Sequence, residues 1–341
     1  MSSTVVRGRA RPRLGETVTS AWRTLRRRIL TPDMSATNLD VRGFKAKDPA
    51  ARELLETIGR TFLTGYSYAA ETPERGPLSQ RLDQIPTRFR GFAYEGAAMA
   101  LAVLDALPGR SRHVARFLTG PGDSHVYMAY VGVGWAMARL PRFRWRTLAA
   151  PDPLLRWLAL DGYGFHQAYF ATDRYVHGQY REPAFPWPPG GAHRGYADRA
   201  IDQGIGRALW FVCGTDAERV TETIEGFAPE RRADLYSGAG LAATYAGGAD
   251  EEELRAFWQR AGEHRTQVSQ GSVFAASARV RAGLVVPHNE VATRALCGMS
   301  VAEAADLAYL RRPSGEVPGG PPAYEVWRQA VADEFVVIGR N

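Results

Sequence analysis

The chain has 341 residues, 45% hydrophobic and 23% charged, with a formal net charge of +7. That balance excludes wholesale disorder and suits one compact domain or a single repeat array. It also excludes a basic nucleic-acid-binding face, because eight arginines against Glu16 alone place all of the +7 in residues 1–30 and leave the rest near neutral.

The first segment, residues 1–35, reads as a basic N-terminal arm. Its stretch SAWRTLRRRIL suits either a solvated tail or an amphipathic helix lying on an anionic membrane or a partner. No signal-type apolar core and no membrane-length apolar run occurs in the sequence. Cys213 and Cys297 are isolated, as in a reducing compartment. The expected location is the cytoplasm, peripheral at the inner membrane face if the arm binds lipid.

Residues 36–312 read as an α-helical repeat domain. TGYSYA, EGAAMA, VGVGWA, DGYGFH, QGIGRA, SGAGLA and QGSVFA share one grammar. Their lead glycines are Gly65, Gly96, Gly132, Gly162, Gly204, Gly238 and Gly271, at steps of 31, 36, 30, 42, 34 and 33 residues. A period near 34 is the size of a two-helix unit. A helical glycine costs about 1 kcal/mol against alanine, so seven of them need a shared reason, and close helix packing supplies one. SRHVARFL, DAERVTETIEGF, DEEELRAFWQRAGEH and HNEVATRAL read as outer, connecting helices. No strand is expected. The fold class is therefore all-α: a helical-hairpin array curved into a solenoid or an α/α toroid, with an apolar central cavity. Residues 313–341 follow a Pro/Gly linker and suit a helix that caps the last repeat or mediates self-association. The Pro/Gly-rich loop 181–195 suits either a lid or an inert excursion.

Departures from the repeat mark candidate site residues. Four positions after the lead glycine stands alanine in six copies and His166 in the remaining one. That histidine is either a core imidazole or an acid, base or donor facing the cavity. The positions one before and three after each glycine form a stripe: Thr64/Tyr68, Glu95/Met99, Val131/Trp135, Asp161/Phe165, Gln203/Arg207, Ser237/Leu241 and Gln270/Phe274. If the row curves, these stripes face one lumen. A buried carboxyl there either pairs with arginine and locks the hairpins together, or stays protonated as a general acid. The catalytic candidates are Asp161, His166 and Glu95. The substrate-binding candidates are Arg207, Gln203, Asp202, Trp135, Tyr163, Phe165, Tyr169, Trp210 and Phe274. No HxxxH or HExxH pattern and no glycine loop on a strand-to-helix turn occurs, so neither a metal nor a cofactor is expected.

The motifs GFAYEGAAMALAVLDAL, LLRWLALDGYGFHQAYF and DQGIGRALWFV, with the opening WRTLRRRILTPD, resemble the UnbL-like family of unknown function. That family is encoded beside the polyketide synthase in enediyne antibiotic gene clusters, and the likeness runs from about residue 40 to 310. The resemblance implies a role in converting a linear polyene product into an enediyne core. It also implies a hydrophobic polyketide-derived ligand and membrane-associated cassette proteins as partners. It carries no catalytic residues with it. The expected function is binding this conjugated chain and assisting its cyclisation or unsaturation by acid–base chemistry. The alternatives are a non-catalytic carrier or scaffold and a toroidal isoprenoid-type cyclase.

Overall fold

The computed structural model describes residues 31, 33–109, 111–187, 193–316 and 319–340, all helix and connection, with no strand among them. The arm expected over residues 1–35 lies almost wholly outside the described residues, as do positions 188–192 of the 181–195 loop.

Seven helices form the main row: α1 (Pro49–Glu71), α2 (Thr87–Ala106), α3 (Val126–Arg139), α4 (Trp157–Phe170), α5 (Ala197–Val212), α6 (Pro229–Ala246) and α7 (Arg265–Arg281). Each packs on the next in chain order. Two further helices, α8 (Val301–Leu310) and α9 (Ala323–Val337), complete the C-terminal end. Short helices such as Ala217–Glu225 and Glu251–Arg260 carry the chain back between row members, and Pro287–Cys297 does so between α7 and α8. Neighbours therefore run parallel. Near the starts of α6 and α7, Tyr236 packs on His264 with centroids 5.3 Å apart; near their ends, Arg279 donates to the Tyr245 carbonyl at 2.5 Å.

The glycines explain how the row holds together. A methyl group on Gly132, Gly162, Gly204, Gly238 or Gly271 would lie 1.8–2.2 Å from a carbonyl oxygen of the preceding helix. That carbonyl always belongs to the residue just before the preceding helix's own lead glycine: Glu95, Val131, Asp161, Gln203 and Ser237. The glycines two positions on, Gly134, Gly164, Gly206 and Gly240, meet the following helix in the same way, at 1.9–2.3 Å from Ala159, Ile201, Leu235 and Val268. One glycine thus serves the helix behind and the other the helix ahead. The helical propensity they give up is offset by backbone-to-backbone van der Waals contact.

This register corrects the alignment of the first copy. Gly65 sits 1.9 Å from the Ala93 carbonyl, three residues before Gly96, so it is the glycine facing the helix ahead. Leu63 holds the lead position, and Gly96 packs on the carbonyl of Phe62. The first helix has no row member behind it and needs no glycine there. The pair equivalent to those of the other copies is accordingly Phe62/Tyr66 instead of Thr64/Tyr68, and Tyr68 lies beneath the Arg81 guanidinium, 3.7 Å away.

The row curls until α2 meets α6 and α7. Phe92 at the start of α2 packs edge-on against Tyr245 of α6 at 5.3 Å, and Arg279 of α7 donates to the Arg88 carbonyl at 3.1 Å. Two more expectations are revised by packing. The 181–195 loop sends Phe185 and Trp187 into the core, with Phe185 5.4 Å from Trp145 and 5.1 Å from Tyr163. Its described residues brace the outer face of α4. The C-terminal helix α9 does more than cap the last repeat, because Tyr324 reaches Gln203 of α5 at 3.0 Å and Trp327 packs on Phe274 at 4.4 Å.

Candidate functional site

The inner face of the curl holds two chambers. The first contains about 780 Å³ of space free of protein atoms, counting the part open to solvent, and is walled by α1 to α5. Among its lining residues are Glu95, Trp135, Phe165, His166, Tyr169 and Arg207. The second holds about 490 Å³ on the same count, between α3–α7 and the C-terminal helix, and takes Asp161, Arg207, Phe274, Tyr324 and Trp327. Arg207 lines both and so stands at the waist between them.

The first chamber is aromatic. Trp135 lies 4.5 Å from Phe62, 5.2 Å from Phe165 and 5.5 Å from His166, and Phe211 meets Phe165 edge-on at 5.1 Å. The wall follows the inward stripe one turn beyond the predicted pair, since Arg139, Tyr169 and Phe211 each stand four residues after Trp135, Phe165 and Arg207. Extending the stripe by that turn finds residues that the repeat pattern alone left out. Phe62 was missed through the first-copy misalignment. Tyr324 and Trp327 carry no repeat signal at all.

The polar groups gather at the waist. Asp161, 1% exposed, accepts from Arg207 Nη1 and from Gln203 Nε2, the latter at 2.8 Å. Gln203 Nε2 also donates to the Tyr324 hydroxyl at 3.0 Å. Glu95, 2% exposed, shares the influence of the same guanidinium. One positive charge cannot neutralise two carboxyls, and the geometry gives it to Asp161. Burial raises Glu95 from 4.5 to about 7; Arg207 pulls against that rise and Asp161 adds to it. The Trp135 indole N–H reaches no acceptor with full hydrogen-bond geometry, yet it lies close enough to favour the charged form of Glu95. Arg207 itself feels burial first, which opposes its charge, but Asp161 and Glu95 outweigh that and raise it.

His166 is 8% exposed and faces the first chamber. Gln167 donates its amide nitrogen to the hydroxyls of Tyr163 and Tyr175, at 3.2 and 2.9 Å. Its oxygen is left to accept from His166 Nδ1 at 3.3 Å, so the lone pair of the ring resides on Nε2. Burial depresses His166 to about 4, Gln167 opposes the shift, and Arg139 and Arg42 reinforce it. The chamber therefore pairs a carboxyl that keeps its proton up to near neutrality with an imidazole that stays unprotonated. A donor and an acceptor coexist at one pH.

Three candidates lie elsewhere. Asp202 is locked in a buried cluster, with Arg231 Nη2 and Arg181 Nη2 each at 2.5 Å. One residue along a helix turns the side chain by about 100°, and that rotation takes it off the inward stripe. Tyr163 belongs to the Trp145/Phe185 cluster on the outer side of α4. Trp210 is fully buried, donates to the Gly247 carbonyl at 2.9 Å and packs on Phe257. None of the three lines either chamber. Asp202→Asn should lower stability by about 2 kcal/mol, through a weakened charge-assisted bond to Arg231, without altering ligand affinity in the chamber. Chemical denaturation and ligand titration of the same variant check both halves.

Among the described residues, no group of three or more His, Cys, Asp or Glu is placed to hold a metal ion, and no helix is long and apolar enough to cross a membrane. The protein is thus an all-helical one with an aromatic inner chamber lined by a buried carboxyl and a buried imidazole. Residues 21–335 match the family described as "Protein of unknown function (DUF1702)", and the chain belongs to that family. No curated protein and no solved structure matches the chain.

Proposed function

We propose that the first chamber binds a linear, conjugated hydrophobic chain and that Glu95 supplies a proton during its rearrangement. The observation that carries this reading is a carboxyl with a pKa of about 7 set in an aromatic wall that opens to solvent. A protonated carboxyl in an apolar site can donate to a polyene carbon or to a carbonyl at its end. His166 Nε2 is the accepting partner on the same wall. Stacking against Trp135, Phe165 and Tyr169 suits a flat conjugated ligand and would hold it in a folded shape. The resemblance to an enediyne-cluster family supports a polyketide-derived polyene as the ligand and cyclisation or unsaturation as the reaction. Asp161, by contrast, is the structural counter-ion of Arg207, and this reading moves the acid role from it to Glu95.

The test has two arms. A fluorescent conjugated tetraene fatty acid should bind saturably to the full chain, and Phe170→Ala at the chamber wall should weaken it on the order of tenfold. In a producing host, Glu95→Gln should abolish product formation while probe binding persists. Full product output from that variant would leave a carrier, the non-catalytic alternative. No saturable probe binding by the unsubstituted protein would defeat the reading altogether.

A further inference from the structure

The opening of the first chamber has a distinctive rim. Arg139 both lines the chamber and is exposed, so it marks the opening, and Ala36 and Phe170 complete that edge. Immediately after Arg139 comes LPRFRWRT, whose 3-10 turn Arg142–Thr147 anchors through buried Trp145. Trp145 donates to the Met137 carbonyl at 3.0 Å, which fixes the turn against the end of α3. The anchoring leaves Phe143 outside at 73% exposure, four residues and so no more than about 14 Å of chain from Arg139. On the segment that carries Ala36 and Thr37, both of which line the chamber, Met34 and Val41 are 46% and 59% exposed. Three exposed apolar side chains thus lie within four residues of chamber-lining ones.

The charge around Phe143 is mainly positive. Residues 124–151 contain Arg139, Arg142, Arg144 and Arg146 and no carboxylate. Arg142 pairs with Glu182, and the Arg144 guanidinium lies 5.3 Å from the Phe143 ring centroid. Of the acids on the facing segment, Asp40 is taken up by Arg52, and Asp33 accepts from the Ser35 amide. The thirty residues that precede this rim in the chain add eight arginines against one glutamate. Exposed apolar side chains beside Arg139, Arg144 and Arg146, which form no ion pair among the described residues, match a surface that is anionic outside and hydrocarbon beneath. Nucleic acid would answer the arginines and leave Phe143, Met34 and Val41 in water.

We infer that the chamber opening docks on an anionic lipid surface, with Phe143 inserted at the headgroup level and Arg144 and Arg146 on the phosphates. A lipophilic ligand would then pass between bilayer and chamber without crossing water. This route rests on the ligand reading above, but the docking itself does not, so either can fail alone.

Vesicle sedimentation of the full chain, with no ligand present, tests the docking. The unsubstituted protein should sediment with vesicles of phosphatidylcholine mixed with phosphatidylglycerol and stay in solution with phosphatidylcholine alone. Added salt should weaken the binding. Phe143→Ser should reduce partitioning about tenfold, and Phe143→Leu should largely preserve it. The double substitution Arg144→Ala with Arg146→Ala should reduce it on the order of twentyfold. All of these side chains are at the surface, and the circular dichroism melt of each variant should match the unsubstituted protein. Failure of the unsubstituted protein to sediment with anionic vesicles would overturn the inference. So would unchanged sedimentation of the Phe143→Ser and double-arginine variants, since binding would then belong to another part of the chain.

Discussion

Alanine at Gly204 should cost about 3 kcal/mol or more of folding stability, whereas alanine at Gly76 should gain a few tenths to about 1 kcal/mol. The chemical change is the same at both sites and each lies within a helix. At Gly204 the new methyl carbon would sit 1.8 Å from the Asp161 carbonyl oxygen, a contact between two backbones that no rotamer change relieves. Helices α4 and α5 must separate, and interdigitated packing is lost along their whole line of contact. At Gly76, in the short helix Arg75–Asp83, nothing lies within 4 Å of the new atom, so only the propensity gain remains. Thermal or denaturant unfolding of the two variants side by side measures the difference. The α4/α5 displacement should also loosen the Asp161–Arg207 pair, since the carbonyl struck belongs to Asp161 itself.

The second large effect depends on pH. Glu95→Gln should leave stability little changed below pH 4.5 and raise it by on the order of 3 kcal/mol above pH 7. The folded protein holds the Glu95 proton up to about 7 and the unfolded chain only to 4.5, so the folded state binds more protons between those values. The Glu95 contribution to stability is therefore lost as pH rises through that window, by ~1.4 kcal/mol for each pH unit crossed. Glutamine mimics the neutral carboxyl and removes the loss. His166 has the opposite sign. Its pKa falls from 6.5 to about 4 on folding, so its contribution is complete above 6.5 and is lost as pH drops toward 4. His125 and His288, also buried and lowered to about 4, act as His166 does. Between pH 4.5 and 6.5 the three histidines outweigh the single glutamate, so stability rises with pH, less steeply than the histidines alone would make it. The Glu95→Gln variant should steepen that rise by ~1.4 kcal/mol per pH unit. Urea midpoints at a series of pH values check both the gain and the steeper slope.

Much of this was legible in the chain because backbone contact leaves a simple residue signature. A helix that must touch two neighbours at the same height needs two small residues of fixed spacing, and Gly204/Gly206 or Gly238/Gly240 announce it. The signature is incomplete at three helices. Leu63 replaces glycine at the first, which has no row member behind it, while Ala98 in α2 and Val273 in α7 hold the forward position although a helix follows each. The inward stripe was equally readable, and the residues it named at Glu95, Trp135, Phe165, Arg207 and Phe274 do line the two chambers. Tyr169 continues the same stripe one turn on, and His166 lies beside it. Gln203 joins at one remove, through its bond to Asp161. Candidates chosen for residue type and not for register, namely Asp202, Tyr163 and Trp210, fell outside. The partnership of Arg207 with Asp161 in preference to Glu95 was not readable, because both acids occupy the same repeat position and only side-chain distances separate them. Nor was the reach of Tyr324, which comes from a helix outside the repeat.

The proton on Glu95 is the feature on which the site's chemistry turns, and infrared difference spectroscopy observes it directly. The spectrum of the unsubstituted protein minus that of Glu95→Gln, followed across pH, should show one protonated-carboxyl stretch that disappears with a midpoint near 7. A midpoint near 4.5, or no carboxyl band unique to the unsubstituted protein, would mean that Glu95 is an ordinary ionised acid and that the chamber holds no proton donor.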